Sequence, residues 1–284
     1  DFRYRVSEQT EVRVNLQGAR ERQRWPVGGG YNGFIDNRSL QGLAELERPL
    51  AGGTARLRGF VQDFQYEYRQ AAALLPIAGS ADSLMQHEQL RRALASYVRD
   101  LGRHRLDLGV QYSARRITSP GKVEGNRASD HVVEVFARDA VRIGTLLITG
   151  GVRSTNSSLW GTSVNTSVGA AWEASTQWRA RATVARGFRA PSFKEMRYTF
   201  LNTGGGYTIV GNDALDPESS WSTSAALTYA PASHVAFDVE AYHNAVSNLI
   251  DTRLQGLGPD GYLRYQNVNI AEAVTRGVKP SVIW

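Results

Sequence analysis

Residues 176–229 read TQWRARATVARGFRAPSFKEMRYTFLNTGGGYTIVGNDALDPESSWSTSAALTY. The first part alternates strictly. Trp178, Ala180, Ala182 and Val184 fall on one face, and Arg179, Arg181 and Thr183 on the other. Strict alternation means a strand with two unlike surroundings, and here the arginine face is as regular as the apolar one. A polar loop of about 30 residues follows. Then Trp221, Thr223, Ala225, Leu227 and Tyr229 alternate against Ser222, Ser224, Ala226 and Thr228. Two long strands joined by a long, structured loop set the pattern for the rest of the chain.

Working outward, the same period recurs on both sides. On the N-terminal side, Phe2 to Val6 reads as a partial strand, and Val12, Val14 and Leu16 oppose Arg13, Asn15 and Gln17 in a strand that runs to Trp25. A Gly-rich loop is expected from Pro26 to Arg38, a weaker strand over Leu40 to Leu50, and a turn at Ala51 to Thr54. Ala55 to Arg69 is a long strand whose imperfect parity suggests a bulge. Ala71 to Met85 reads as a loop. In Gln86 to Leu101 apolar residues recur at helical spacing, but the tight junction Gly102 to His104 favours a strand paired with Leu106, Leu108, Val110 and Tyr112. A polar loop spans Thr118 to Ser129. Strands follow over His131 to Ala140, Ile143 to Ser154 and Val164 to Trp172, the last two separated by a loop over Thr155 to Thr162. Beyond Tyr229 come a turn at Ala230 to Ser233, a strand with Val235, Phe237, Val239 and Ala241 on one face, a Gly-rich loop over Leu254 to Gly261, and one or two last strands within Tyr262 to Trp284.

The expectation is an all-β chain of about 12–14 antiparallel strands in which short turns alternate with long loops, the rhythm of a transmembrane β-barrel. A soluble sandwich has shorter strands and lacks that rhythm. No run of about 18 apolar residues exists, so no transmembrane helix is read; barrel strands need only about 9–11 residues of alternating character. In hydrocarbon every backbone group must be paired within the protein, which an all-strand chain achieves by closing a barrel. The apolar face would meet the lipids of the outer membrane. The face with Arg13, Arg105, Asp107, Arg179, Arg181, Asp238 and Glu240 would meet a wet lumen. Trp25, Tyr112, Trp172, Trp178, Trp221, Tyr229 and Trp284 sit near strand ends, where amphipathic rings suit the interface.

The 284 residues hold 33 basic and 27 acidic side chains, net charge +6, and no cysteine. Disulfide and thiolate chemistry are thereby excluded. The arginines are spread along alternating strands rather than gathered on one patch, so no nucleic-acid partner is read. His87, His104, His131, His234 and His243 show no metal-ligand spacing, and HExxH, CxxC and GxSxG are absent. Gly28–Gly30 and Gly204–Gly206 lack the strand–turn–helix setting of a phosphate loop. Asn212, Asp213, Asp216 and Glu218 read as a capped turn rather than a calcium loop. No catalytic residue, metal site or cofactor is expected, and the protein is not read as an enzyme.

Several motifs carry a resemblance. Arg186, Gly187, Phe188, Arg189, Ala190, Pro191, Ser192 and Glu195, then Gly211, Asn212, Leu215, Pro217, Glu218, Ser220 and Trp221, resemble the barrel segment of TonB-dependent outer-membrane receptors. The likeness continues through Tyr242 to Ile250 and more weakly through Asn267 to Val278, about a third of the chain in all. It implies an outer-membrane location and energy-coupled uptake of a scarce small molecule or metal chelate, such as a ferric siderophore, cobalamin or haem. It also implies that the motif residues are architecture, tying loop to wall. Ligand contacts are therefore expected among loop aromatics: Tyr198, Phe200, Tyr207, Tyr31 and Phe34.

The chain also departs from that family. Its members carry a plug inside a 22-stranded barrel, whereas residues 1–284 read as a barrel segment alone, with strands from the start and neither initiating Met nor signal peptide. Lys279 stands where the family usually has an acidic residue. The expectation is a piece of a larger barrel, with coupling to a periplasmic energy-coupling protein belonging to the full-length, plug-containing form. Two other readings stay open at this point: a passive porin-like channel from a shortened barrel, and a soluble β-rich binding module.

Overall fold

The computed structural model describes residues 2–7, 10–71 and 84–284. The order is β1 (Phe2–Ser7), β2 (Thr10–Gly28), β3 (Tyr31–Leu50), β4 (Gly53–Ala71), β5 (Leu84–Leu101), β6 (His104–Thr118), β7 (Arg127–Ile143), β8 (Leu146–Ser157), β9 (Gly161–Glu173) and β10 (Trp178–Arg189). A short helix α1 (Phe193–Arg197) and two short strands, β11 (Thr199–Asn202) and β12 (Tyr207–Val210), fill the loop after β10. Three long strands close the order: β13 (Glu218–Ala232), β14 (Val235–Leu257) and β15 (Leu263–Ile283).

All belong to one sheet. Each long strand pairs antiparallel with its sequence neighbour, β10 pairs with β13 across the long loop, and β12 alone pairs in parallel, with β15. Among the described residues twelve strands have 12 or more residues, within the expected count of about 12–14, and β1, β11 and β12 are short. The expected strand at Gln86 to Leu101 is β5, because cross-strand pairing with β4 and β6 outweighs the helical spacing of its apolar residues.

Several boundaries differ from expectation. The Gly-rich loop over 26–38 is a two-residue turn: Gly28, Gly29 and Gly30 take φ of 95°, 60° and 80°, which reverses the chain at once and leaves 31–38 to extend. The bulge expected in Ala55 to Arg69 is absent, since β3 and β4 stay in register from Leu50 opposite Gly53 to Asn32 opposite Ala71. The strands β8, β13 and β14 also run past their expected ends, because ladder pairing carries them to Ser157, Ala232 and Leu257. The loop read over 71–85 lies, for residues 72–83, outside the described residues.

The two rims differ. At one, the connections 51–52, 102–103, 144–145 and 233–234 are two residues each. At the other lie 119–126 and 190–217, the latter with its own secondary structure, beside the short connections 29–30 and 158–160. The pleat sorts side chains between two faces. Val12, Leu46, Leu57, Ala95, Val110 and Val135 form one cross-strand row on the outer face. One residue over, on the inner face, Arg13 opposes Glu45 and Glu45 opposes Arg58. Glu45 forms ion pairs with Arg58 and, at 3.9 Å each, with Arg13 and Arg56. Farther round the inner face, Arg181 meets Asp238 at 3.4 Å and Thr228 donates to Asp238 at 2.6 Å.

Outward apolar residues are uncovered: Leu57 is 54% exposed, Val135 55% and Leu227 48%. A belt of that extent requires an apolar partner, and hydrocarbon meets the requirement. At the short-turn rim Trp178, Tyr229 and Phe237 stack on the outer face, with centroids 4.4 and 6.4 Å apart, where an interfacial girdle belongs. Burial is concentrated instead at the long-loop rim. Ile117, Val123, Met196 and Leu215 are buried there.

Candidate functional site

The loop 190–217 folds over the long-loop rim and is tied down by the residues of its motif. Pro191 is fully buried, and Ser192 starts α1 with a capping box: its hydroxyl accepts from the Glu195 amide (3.2 Å), and the Glu195 carboxylate accepts from the Ser192 amide (2.7 Å). The guanidinium of Arg189, at the inner-face end of β10, donates to both flanking carboxylates. It reaches Glu218 at 2.8 Å and Glu195 at 2.9 and 3.1 Å. Glu218 also accepts from the Ile250 amide at 2.9 Å. The Arg189 hydrogen bonds hold the Glu218 carboxyl below its ordinary range, and Glu218 in turn raises Arg189.

The second half of the loop is anchored by asparagines. The Asn212 side chain donates to the Asn267 carbonyl (3.0 Å) and accepts from the Ala214 amide (2.9 Å). Asn267 donates to the Glu195 carbonyl (3.0 Å), and Asn269 exchanges bonds with the Asp216 backbone (2.9 and 3.0 Å). At Gly211 a Cβ would sit 2.5 Å from the Met196 carbonyl oxygen, so only glycine fits. Met196 and Leu215 lie beneath the loop, 2% and 3% exposed. Of the other motif residues, Gly187 lies opposite Ser220, and Phe188 packs its ring 5.3 Å from that of Trp160. Arg186 and Trp221 are opposed on the outer face. Ala190 and Pro217 flank the loop without a side-chain bond of their own.

From α1 the loop reaches across the inner wall. Phe193 lies under the Arg115 guanidinium at 5.4 Å, and Arg115 pairs with the fully buried Asp130. Tyr198 donates to Gln86 (2.5 Å), shares a hydrogen bond with Ser119 (3.0 Å), and bridges to Val123. Burial pushes the Tyr198 hydroxyl above its ordinary pKa.

The five aromatics expected to contact ligand are placed differently from one another. Tyr198 is half-buried in the loop's anchorage. Phe200 and Tyr207 share one face of the β11–β12 hairpin, rings 6.4 Å apart, and Tyr207 meets Tyr265 edge-on at 6.1 Å. The Lys122 ammonium stands 5.0 Å from the Phe200 centroid. Phe200 is 41% exposed. Tyr31 opens β3 next to the glycine turn and Phe34 is buried further along the same strand, so neither joins this group. Both were assigned to a loop that the glycine turn removes. Sequence reasoning missed Tyr265, Lys122, Asn267 and Asn269. Asn267 and Asn269 share one strand parity, a signal available in advance; Tyr265 joins through the parallel β12–β15 pairing, which no local pattern announces. Among the described residues no three His, Asp or Glu side chains converge to hold a metal ion.

An antiparallel wall with an apolar outside, a charged inside and a folded loop over one rim defines a transmembrane β-barrel of the outer-membrane type. The family model for "TonB dependent receptor-like, beta-barrel" matches residues 1–279, and the chain belongs to that family. It is an outer-membrane protein, in a family of receptors and transporters rather than enzymes. The iron-regulated outer membrane virulence protein of Vibrio cholerae is 25% identical over 203 residues, 66% of this chain and 30% of that relative. The siderophore receptor PirA from Pseudomonas aeruginosa matches 98% of the chain and 57% of its own at TM-score 0.75 and 16% identity. The ferric enterobactin receptor PfeA of the same organism, solved with enterobactin, matches 98% and 48% (0.74, 14%). The outer membrane transporter YddB from Escherichia coli matches 99% and 44% (0.80, 10%). The chain thus spans about half the length of those structures and under a third of the curated relative.

Proposed function

We propose that residues 1–284 are the barrel segment of an outer-membrane receptor for energy-coupled uptake of a scarce iron chelate, such as a ferric siderophore. The observation that carries the ligand reading is the three-ring face of Phe200, Tyr207 and Tyr265 beside Lys122, held over the lumen on an anchored loop. Rings and a cation together suit a planar, anionic, partly apolar ligand. The iron-regulated relative and the siderophore-receptor neighbours support iron chelates over cobalamin or haem. The metal would arrive already chelated, as cargo. In the complete receptor a plug in the lumen and a periplasmic energy-coupling protein would drive passage of the bound chelate.

The test is binding of ferric enterobactin and of a ferric hydroxamate to the full-length receptor carrying Phe200→Ala and Tyr207→Ala. Each substitution is expected to weaken binding of the preferred chelate by about tenfold, the scale of one lost aromatic contact. Wild-type affinity for both chelates in the double variant would overturn the assignment of this face.

A further inference from the structure

The apolar belt on the outer face stops abruptly on the long-loop side. Passing up each strand, the next outward residues after Leu16, Leu40, Ala93, Ala114, Val184 and Val278 include, in turn, Arg20, Arg38, Arg91, Arg116, Arg186 and Arg276. All six arginines are exposed. The short-turn edge of the belt carries aromatic rings instead, with outward arginines only at Arg48 and Arg99 among the described residues. On β3 and β4 the carboxylates at the upper edge are already engaged, while Glu272 on β15 is exposed, far round the sheet from β5 and β6. Asp36 takes Arg20, Arg22 and Arg38; Asp63 takes His87 and Gln89; Glu67 takes Arg69.

Arg91 and Arg116 are the two of these arginines that stand beside each other away from those carboxylates. Arg91 opposes Ala114 and Arg116 opposes Gln89, so the two are diagonal neighbours on adjacent strands, about 7–8 Å apart at the backbone. Among the described residues neither has a carboxylate partner. Two unpaired guanidinium groups at that spacing repel unless an anion lies between them. Directly below runs a shallow apolar groove lined by Val14, Leu16, Gly42, Val61 and Tyr112, with Arg91 at its lip. The groove owes its depth to Gly42 and Gly59, which leave no side chain on the wall.

We infer that Arg91 and Arg116 hold the phosphate of a lipid in the leaflet on the long-loop side, its acyl chain lying in the groove below. Planar guanidinium forks match phosphate oxygens bidentately, and the groove supplies the apolar complement that a free anion would not use. The inference rests on the membrane placement of the belt and is independent of what the mouth binds.

The experiment uses the full-length receptor in neutral detergent, with folding checked by β-type circular dichroism. Phosphatidic acid and diacylglycerol of the same acyl chains are the probes, and retained lipid is counted by native mass spectrometry. Wild type is expected to retain phosphatidic acid in preference, and added salt is expected to weaken that preference. The double variant Arg91→Gln/Arg116→Gln should lose about tenfold in affinity for phosphatidic acid. Arg91→Lys/Arg116→Lys should recover part of it, and Arg99→Gln, at the opposite edge, should change nothing. Equal retention of both lipids by wild type would overturn the inference. So would an equal loss in Arg99→Gln, or full displacement by inorganic phosphate at the same concentration, which would mean a soluble-anion site. Should the glutamine variant not fold, the salt dependence and the lysine variant decide alone.

Discussion

The backbone of Met196 lies where any Cβ on residue 211 would go. Gly211→Ala is therefore expected to lift the loop by about 1–3 kcal/mol of overpacking while leaving the sheet intact. Limited proteolysis should show faster cleavage at Lys194 and Arg197 with unchanged circular dichroism; an unchanged cleavage rate would show that the loop yields without cost. Arg189 supplies a pH dependence. It lowers the folded pKa of Glu218, so the tie is fully present above the unfolded carboxyl value of about 4.3 and is lost as pH falls through the lowered folded value. Hydrogen exchange of the Met196 and Gly211 amides should accelerate only below that range. In Arg189→Ala the same acceleration should already be present at neutral pH. At this scale the sequence was informative where a motif has a mechanism. Gly187 and Pro191 mark the exit from a strand; the capping box of Ser192 and Glu195 was spelled in the sequence but went unread. The sequence was silent on why residue 211 is glycine, because the atom that forbids a side chain belongs to Met196 of α1, far back along the chain.

Among the elements, long strands were legible because each separates two unlike surroundings. Trp178, Ala180 and Ala182 against Arg179 and Arg181 leave no choice of parity. A paired substitution tests the assignment of faces. Val110→Arg, on the outer face, should cost about 2–4 kcal/mol if the residue lies near the bilayer midplane, whereas Gln111→Arg, one residue on and facing the lumen, should cost far less. Urea unfolding from lipid vesicles measures both, and equal costs would refute the two-faced wall. Short elements were not legible. The hairpin β11–β12 has strands of four residues, too few for a period to declare itself, and its Gly204–Gly206 turn reads the same as a flexible loop. Tyr31 and Phe34 were misplaced for a related reason. Glycine-rich sequence marks a reversal but does not say how much chain the reversal takes.

Over the molecule as a whole, the alternation of short and long connections was visible in the sequence, and the membrane reading followed from it. Closure was not. Among the described residues β1 pairs only with β2, and no ladder joins it to β15. Two open edges offer unpaired amides and carbonyls to any neighbour. Residues 1–284 refolded alone in detergent are accordingly expected to show no shift in gel mobility between unboiled and boiled samples, and to associate. A clear shift would mean that these strands close by themselves, and a steady conductance in a planar bilayer would then favour the porin-like channel over a receptor segment.

The parallel ladder between β12 and β15, with the Asn267 and Asn269 anchors beside it, has a bearing on timing. Loop 190–217 leaves the ribosome before β15, yet it cannot take its seat until β15 is in place. The hairpin that carries Phe200 and Tyr207 therefore takes its place only after β15 has joined the sheet.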